Sequence, residues 1–260
     1  MPEIDVNGVR LSYEEHGSGR PILCIHGTGS SSALWRAAAT ELGRRGRAIV
    51  YDRRGFGCSE RPDPFVTDVH EHADDAAALL DSLGAAPAVV IGRSHGGEVA
   101  VDLALRYPDR VRALALLEGG GLSLGEGVTQ WVRELDERLE AAAERDIATV
   151  GETMVRGVLG DGAWEELPQP VREVFTANGP AILAEERGGL LDVSPAELGT
   201  IAQPALIVAA EDSPPAFAEA TSLLAAAMPA AVMTWVGGDH LIDPAHPAVL
   251  AFVDEVLATT

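Results

Sequence analysis

Short apolar runs recur along the chain, and segments of helical period separate them. Residues 9–15 alternate apolar and polar side chains, the two-residue period of a half-buried strand. Residues 21–25, Pro21-Ile22-Leu23-Cys24-Ile25, are apolar throughout and end at His26-Gly27. Comparable runs at 47–51, 88–91, 111–117, 205–210 and 231–236 predict further strands. Between them, helical patterns run up to Leu42, over 68–83 and over 98–107, and another closes the chain at 245–258. Gly84 suits the position just past a helix, because glycine accepts left-handed backbone there. Short apolar strands alternating with helices predict an α/β fold, a parallel sheet covered on both faces.

That rhythm breaks over residues 122–200, where strand-like runs vanish. Residues 131–145 read as a charged helix and 147–159 as a second, while Pro168, Pro170 and Pro180 punctuate the rest. About eighty residues is too long for a plain connection in a compact domain. The pattern predicts a helical cap inserted over 122–200 into a core made of 1–121 and 201–260. Ligands of open parallel sheets bind beyond the carboxyl ends of the strands. A cap placed there would shape the pocket and exclude water.

Composition narrows the chemistry. The 260 residues carry a formal charge of −21, lysine is absent, and all 19 basic residues are arginine. Such a balance argues against nucleic acid or an anionic membrane surface as partner. Schiff-base and pyridoxal-phosphate chemistry needs a lysine and is excluded. Two cysteines are too few for a disulfide framework; Cys24 reads as a small buried hydrophobe, and Cys58 is assigned no chemistry. No apolar run is long enough to span a bilayer, and Met1-Pro2-Glu3-Ile4-Asp5 lacks the features of a signal peptide, so a cytoplasmic location is expected. The sequence leaves the oligomeric state open, a homodimer included.

The chemical signal is Gly92-Arg93-Ser94-His95-Gly96, set between the 88–91 strand and a helix. In that context a G-x-S-x-G bend exposes its serine in a strained turn, with the helix N-terminus behind it for a developing anion. Ser94 is therefore the expected nucleophile. Among seven histidines, only His240 comes late in the chain, after a strand, on a glycine-bearing loop, and it is the expected general base. Backbone N–H groups of His95 and of the His26-Gly27-Thr28-Gly29 loop, Thr28 first and Gly27 second, are the expected oxyanion donors.

These segments resemble an α/β-hydrolase of the capped, lactonase and epoxide-hydrolase-like kind. The resemblance is carried by His26-Gly27-Thr28-Gly29, by Tyr51-Asp52-Arg53-Arg54-Gly55-Phe56-Gly57-Cys58-Ser59, by the Ser94 bend, by Tyr107-Pro108-Asp109-Arg110-Val111 and by Gly238-Asp239-His240. It implies an eight-stranded, mostly parallel sheet. In the common pattern an aspartate follows the seventh strand, and that position falls on Ser213 here, with Asp212 one residue early. Zearalenone-type lactonases and some haloalkane dehalogenases place the acid at the end of the sixth strand, where this chain has Glu118. Glu118 is preferred as the third triad member, and Asp212 is kept as the alternative, with a turn-capping role open to it.

The implied reaction is hydrolysis of a small carboxylic ester, a lactone above all, through an acyl-enzyme, with no metal or cofactor. Carbon–carbon bond hydrolysis, perhydrolysis and a non-catalytic receptor on the same fold are the competing readings. Trp35, Trp131 and Trp164 are candidate substrate contacts; core packing explains Trp35 equally well, and packing between cap and core is the preferred reading for Trp131 and Trp164. Glu98 reads as a first-turn carboxylate. Asp68, His70, Glu71, His72, Asp74 and Asp75 are metal-type ligands, but histidines two apart on a helix point to different sides, so a solvated face is expected.

Overall fold

The computed structural model describes every residue of the chain except Gly120, Leu122 and Thr260. Its strands are β1 (Glu3–Val6), β2 (Val9–Gly17), β3 (Pro21–Ile25), β4 (Arg47–Tyr51), β5 (Ala88–Arg93), β6 (Val111–Leu117), β7 (Ala205–Ala210) and β8 (Ala231–Val236). They form one eight-stranded sheet in the order β1-β2-β4-β3-β5-β6-β7-β8. β1 pairs antiparallel with β2, and β2 with β4; all other neighbours are parallel. β1 is absent from the periodicity reading. Its signal was the dipeptide Asn7-Gly8, whose φ angles of 45° and 75° make the two-residue hairpin joining β1 to β2.

The fully apolar runs are apolar because both faces of the sheet are covered. Leu23 and Ile25 of β3, Val90 of β5, Leu114 and Leu116 of β6 and Ile207 of β7 enter one core. Their alternates, Ile22, Cys24, Val89, Ile91, Ala115, Leu117 and Val208, enter the other. The first core is closed by α2 (Val69–Ser82) and α3 (His95–Arg106), through residues such as Ala73, Leu80, Val99 and Leu103. α1 (Ser32–Leu42) and the C-terminal helix Pro247–Ala258 close the second with Trp35, Ala39, Leu42, Val249 and Val253. Asp68 caps α2 by accepting the Glu71 N–H at 2.8 Å, and Gly84 follows the helix at φ 58°.

Between β6 and β7 lie α4 (Glu126–Arg145), α5 (Val150–Leu159), α6 (Ala163–Glu166), α7 (Gln169–Ala177), α8 (Gly179–Gly188) and α9 (Pro195–Leu198). Leu122, the first residue of the expected insertion, lies outside the described residues. These helices bury a small core of their own, Leu135, Leu139, Val150, Met154, Phe175 and Ile182, which closes on Phe56 of the loop after β4. α10 (Pro215–Ala227) and α11 (Pro247–Ala258) complete the chain. Among the described residues no helix is long and apolar enough to cross a membrane.

Strand order decides where a site forms. β4 lies on one side of β3 and β5 on the other. The chain therefore leaves adjacent carboxyl ends in opposite directions, opening the crevice in which α/β sheets bind ligands. The loop after β3 and the bend after β5 meet there.

Candidate active site

Ser94 stands between β5 and α3 at φ 56° and ψ −129°, a conformation that non-glycine residues rarely adopt. Surrounding glycines make the bend possible. A Cβ on Gly92 would lie 2.2 Å from the Gly96 carbonyl oxygen, and one on Gly96 would lie 2.3 Å from that of Ile25. The Ser94 N–H donates to the Leu117 carbonyl at 3.0 Å, and its own carbonyl accepts from Gly97 at 2.8 Å.

His240 follows β8 in a loop that turns through Gly238 at φ 99°, and the Asp212 N–H holds that loop by donating to the Gly238 carbonyl at 2.9 Å. The imidazole is buried, with the Phe217 ring stacked on it at 3.9 Å. Its Nδ1 lies 2.8 Å from Oε2 of Glu118, which leaves Nε2 without a partner among the described residues. Burial lowers the pKa of His240, against the opposing pull of Glu118, so the ring is neutral near pH 7.

Glu118 sits just past β6 at φ 47° and is 1% exposed. Its carboxylate accepts from the Ala210 N–H at 2.7 Å and from the Ser213 hydroxyl at 2.6 Å, as well as facing His240. Ser213, at the position where the common pattern has its acid, thus donates to Glu118 instead. Asp212 is exposed, its side chain forms no hydrogen bond among the described residues, and it does not cap α10, whose N-cap is Pro214.

The loop after β3 packs against the bend: a Cβ on Gly27 would lie 3.0 Å from Ser94 Cβ and 2.9 Å from the Arg93 carbonyl oxygen. His26 anchors this loop, its Nε2 accepting from the Arg53 N–H at 3.0 Å while Nδ1 donates to the Gly27 carbonyl at 2.9 Å. Neither the Thr28 N–H nor the His95 N–H donates to a described residue. Both residues border the cavity that Ser94 and His240 share.

Helices α4, α5, α7 and α8 supply the cavity's outer wall, including Trp131, Leu135, Met154, Val155 and Phe175. Of the three candidate tryptophans, only Trp131 lines this cavity. Trp35 is 1% exposed in the core beneath the sheet, where Arg93 lies over its ring, 5.4 Å from the centroid. Trp164 borders a separate outer groove of the insertion.

A second group of polar residues escaped the sequence reading. Glu185, on α8, is fully buried and forms an ion pair with buried Arg53. Its oxygens also accept from the Thr28 hydroxyl at 2.5 Å and lie 3.3 Å from His72 Nε2 and 3.5 Å from His95 Nε2. His72 therefore faces the interior, contrary to the solvated face expected of the 68–75 cluster; Asp75 is buried as well, against Arg54. Helix α2 lies against α3 and the sheet, so every third or fourth residue turns inward whatever its polarity. Burial would raise the Glu185 carboxyl, but the Arg53 guanidinium, together with His95 and His72, holds it well below the usual carboxylate range. Burial pushes His95 down to about 4 and His72 down to about 3, with Arg53 adding to both. Ligand atoms of His72, His95 and Glu185 lie within 4.8 Å of one another, close enough to bind a metal ion. The Arg53 guanidinium already supplies the positive charge there, so a divalent cation would meet a fixed like charge.

Glu98, in the first turn of α3, is buried and accepts the N–H of Leu191 at 3.2 Å, tying the returning insertion to the core. Glu186 lines the cavity beside Glu185. Burial, with the nearby charges of Glu185 and Asp136, pushes its carboxyl well above the usual range.

The sheet order, the bend after β5 and the loop after β8 are those of the α/β-hydrolase fold. Residues 20–243 match the family profile described as alpha/beta hydrolase fold, and the chain belongs to that family. It is 28% identical to a 2-(acetamidomethylene)succinate hydrolase of Mesorhizobium japonicum, over 96% of this chain and 94% of that one. A 2-hydroxymuconate semialdehyde hydrolase of a Pseudomonas species is 39% identical over 124 residues; the match spans only 46% of this chain and 44% of that relative. Among solved structures, a thermophilic esterase from Thermogutta terrifontis is similar with a TM-score of 0.79 at 24% identity, over 99% of this chain and 98% of that one. An enol-lactonase from Burkholderia xenovorans is similar with a TM-score of 0.73 at 24% identity, over 98% of each chain. At this identity the two structures show the shared fold.

Proposed function

We propose that this protein hydrolyses a small, neutral carboxylic ester, with lactones as the favoured subclass, through an acyl-enzyme on Ser94. The observation that carries the reading is the 2.8 Å contact of His240 Nδ1 with Glu118, on a ring that borders the same cavity as Ser94. Glu118 holds the imidazole in the tautomer whose Nε2 accepts a proton. Ser94 attacks the ester carbonyl as its hydroxyl proton passes to His240. The N–H groups of His95 and Thr28 receive the oxyanion of the tetrahedral intermediate. His240 then protonates the leaving alcohol, and water attacks the acyl-enzyme by the same route in reverse. The reaction calls on no metal or cofactor.

Two features support a neutral ester or lactone. The acid lies after β6, as in the lactonases that the sequence resembles. The cavity wall is mostly apolar, with Trp131, Leu135, Met154, Val155 and Phe175 on it, which suits an uncharged acyl group. Arg93 borders the cavity as well, but it donates to the Ile242 carbonyl at 3.1 Å and lies over Trp35. Carbon–carbon bond hydrolysis is the second reading, favoured by the name of the 2-hydroxymuconate semialdehyde hydrolase relative. That name denotes an anionic substrate. A panel of lactones of graded ring size, linear esters and dienoate ring-cleavage products separates the two. Turnover of a lactone with a p-nitrophenol burst from a short ester, both lost in Ser94→Ala, is the expected result. Turnover of the dienoates alone would replace this reading with the second. Binding without turnover of any of them would make the protein a receptor.

A further inference from the structure

Two polar side chains of the insertion grip the loop after β3. Asn178 Nδ2 donates to the carbonyls of Gly29 and Ser30, each at 3.0 Å, while its Oδ1 accepts the Gly57 N–H at 3.1 Å. Glu185 accepts the Thr28 hydroxyl at 2.5 Å, and its other oxygen lies 3.5 Å from His95 Nε2. Both side chains are almost wholly buried, at 2% and 1% exposure. The insertion therefore touches, through side chains, both residues whose backbone N–H groups face the reacting carbonyl in the Ser94 mechanism.

The Arg53–Glu185 ion pair ties α8 to the loop after β4. The bond to Thr28 does something else, since it restrains rotation of the peptide that presents the Thr28 N–H. A carboxylate so near a developing oxyanion would oppose the reaction if its charge stood alone; Arg53, paired with it, offsets that charge. We propose that Glu185 is a positioning residue: held by Arg53, it fixes Thr28 so that the Thr28 N–H points at the oxyanion, and the oxyanion hole is complete only while α8 is docked. The proposal rests on the Ser94 acyl-enzyme reading. Asn178 restrains the same loop from its carbonyl side. The insertion is then part of the catalytic scaffold as well as a wall around the substrate.

The decisive variant is Thr28→Val, which removes the hydroxyl but keeps the N–H, the β-branched shape and the Arg53–Glu185 pair. With a short p-nitrophenyl ester, kcat should fall about 10- to 100-fold and KM should stay within about threefold, the mark of a group that acts on the transition state. Thr28→Ser should restore most of kcat. Combining Thr28→Val with Glu185→Gln should cost no more than the worse single change, because both break one link. An unchanged kcat in Thr28→Val, no rescue by serine, or additive losses would each overturn the proposal. Glu185→Gln leaves Arg53 without its charge partner; if that variant does not fold, the valine and serine variants decide alone. Failure of the underlying reading looks different: Ser94→Ala would keep its activity, and a serine-directed phosphonate would leave the wild-type protein unlabelled.

Discussion

Glu118 and His240 lie 122 residues apart in sequence, and Glu118 Oε2 meets His240 Nδ1 at 2.8 Å. The carboxylate reaches that position because its backbone takes φ 47° at the end of β6, which turns the side chain across toward the ends of β7 and β8. A carboxylate buried at 1% exposure needs its lone pairs satisfied. Ala210, Ser213 and His240 do so together, which locks the imidazole in one orientation.

This arrangement ranks two substitutions. Glu118→Gln keeps the shape but removes the charge that stabilises the imidazolium, and should lower kcat by about 10²- to 10⁴-fold. Asp212→Asn, at an exposed side chain, should change kcat by less than about threefold. Steady-state kinetics on one ester checks both, and the opposite ranking would assign the acid's role to Asp212.

Acid should destabilise the protein well before ordinary carboxylates titrate. The ordinary histidine value is 6.5, whereas burial holds His95 at about 4 and His72 at about 3. Below about pH 6.5 the unfolded chain binds protons that the folded chain refuses, so this contribution to stability is present above that pH and is lost as pH falls toward 4 and 3. For one imidazole shifted this far, the loss is a few kcal/mol. Thermal melts from pH 7.5 to 4 should show Tm falling steadily from about pH 6.5 downward. A flat Tm across that range would show that these imidazoles ionise freely.

Gly96→Ala should abolish folding or activity, because its Cβ would lie 2.3 Å from the Ile25 carbonyl oxygen and 2.7 Å from that of His26. Both contacts are with backbone, which cannot swing aside, so β3 and the loop that follows it would have to move away from α3. Soluble yield and p-nitrophenyl ester turnover read the outcome. By contrast Gly237→Ala has open space around it and should leave both near wild type.

The tryptophans should separate by role. Trp131 borders the cavity and packs on Phe217 at 5.1 Å between ring centroids, and Phe217 in turn stacks on His240. Trp131→Ala should raise KM for apolar esters about 10-fold. Trp164→Ala, in a groove away from Ser94, should leave KM unchanged. Equal effects would remove Trp131 from the substrate wall.

Much of this molecule was legible along the chain because the deciding signals are local. Runs such as residues 21–25 and 88–91 are apolar throughout because the sheet is covered on both sides, and that shows without knowing what covers it. The bend at Ser94 declares itself through glycines two residues away on either side. Asn7-Gly8, the hairpin signal that joins β1 to β2, is just as local, but β1 itself is not read from the pattern. What stayed hidden depends on which distant residues share a space. Nothing around His72 distinguishes it from His70, yet packing buries one and exposes the other. Trp35 follows the His26-Gly27-Thr28-Gly29 loop in sequence but points into the core under the sheet.

The buried charges were the least visible. Arg53 and Glu185 lie 132 residues apart, and a polar residue in a charged-looking helix reads as solvent-facing. The amino-acid order determined the alternating elements, the serine bend and the family. Only the folded chain decided that Glu118 faces His240, and that Glu185 enters the core to meet Arg53 and Thr28. The reason is physical: backbone period and glycine geometry act over a few residues, whereas a buried charge is tolerated only where its partner arrives from elsewhere in the fold.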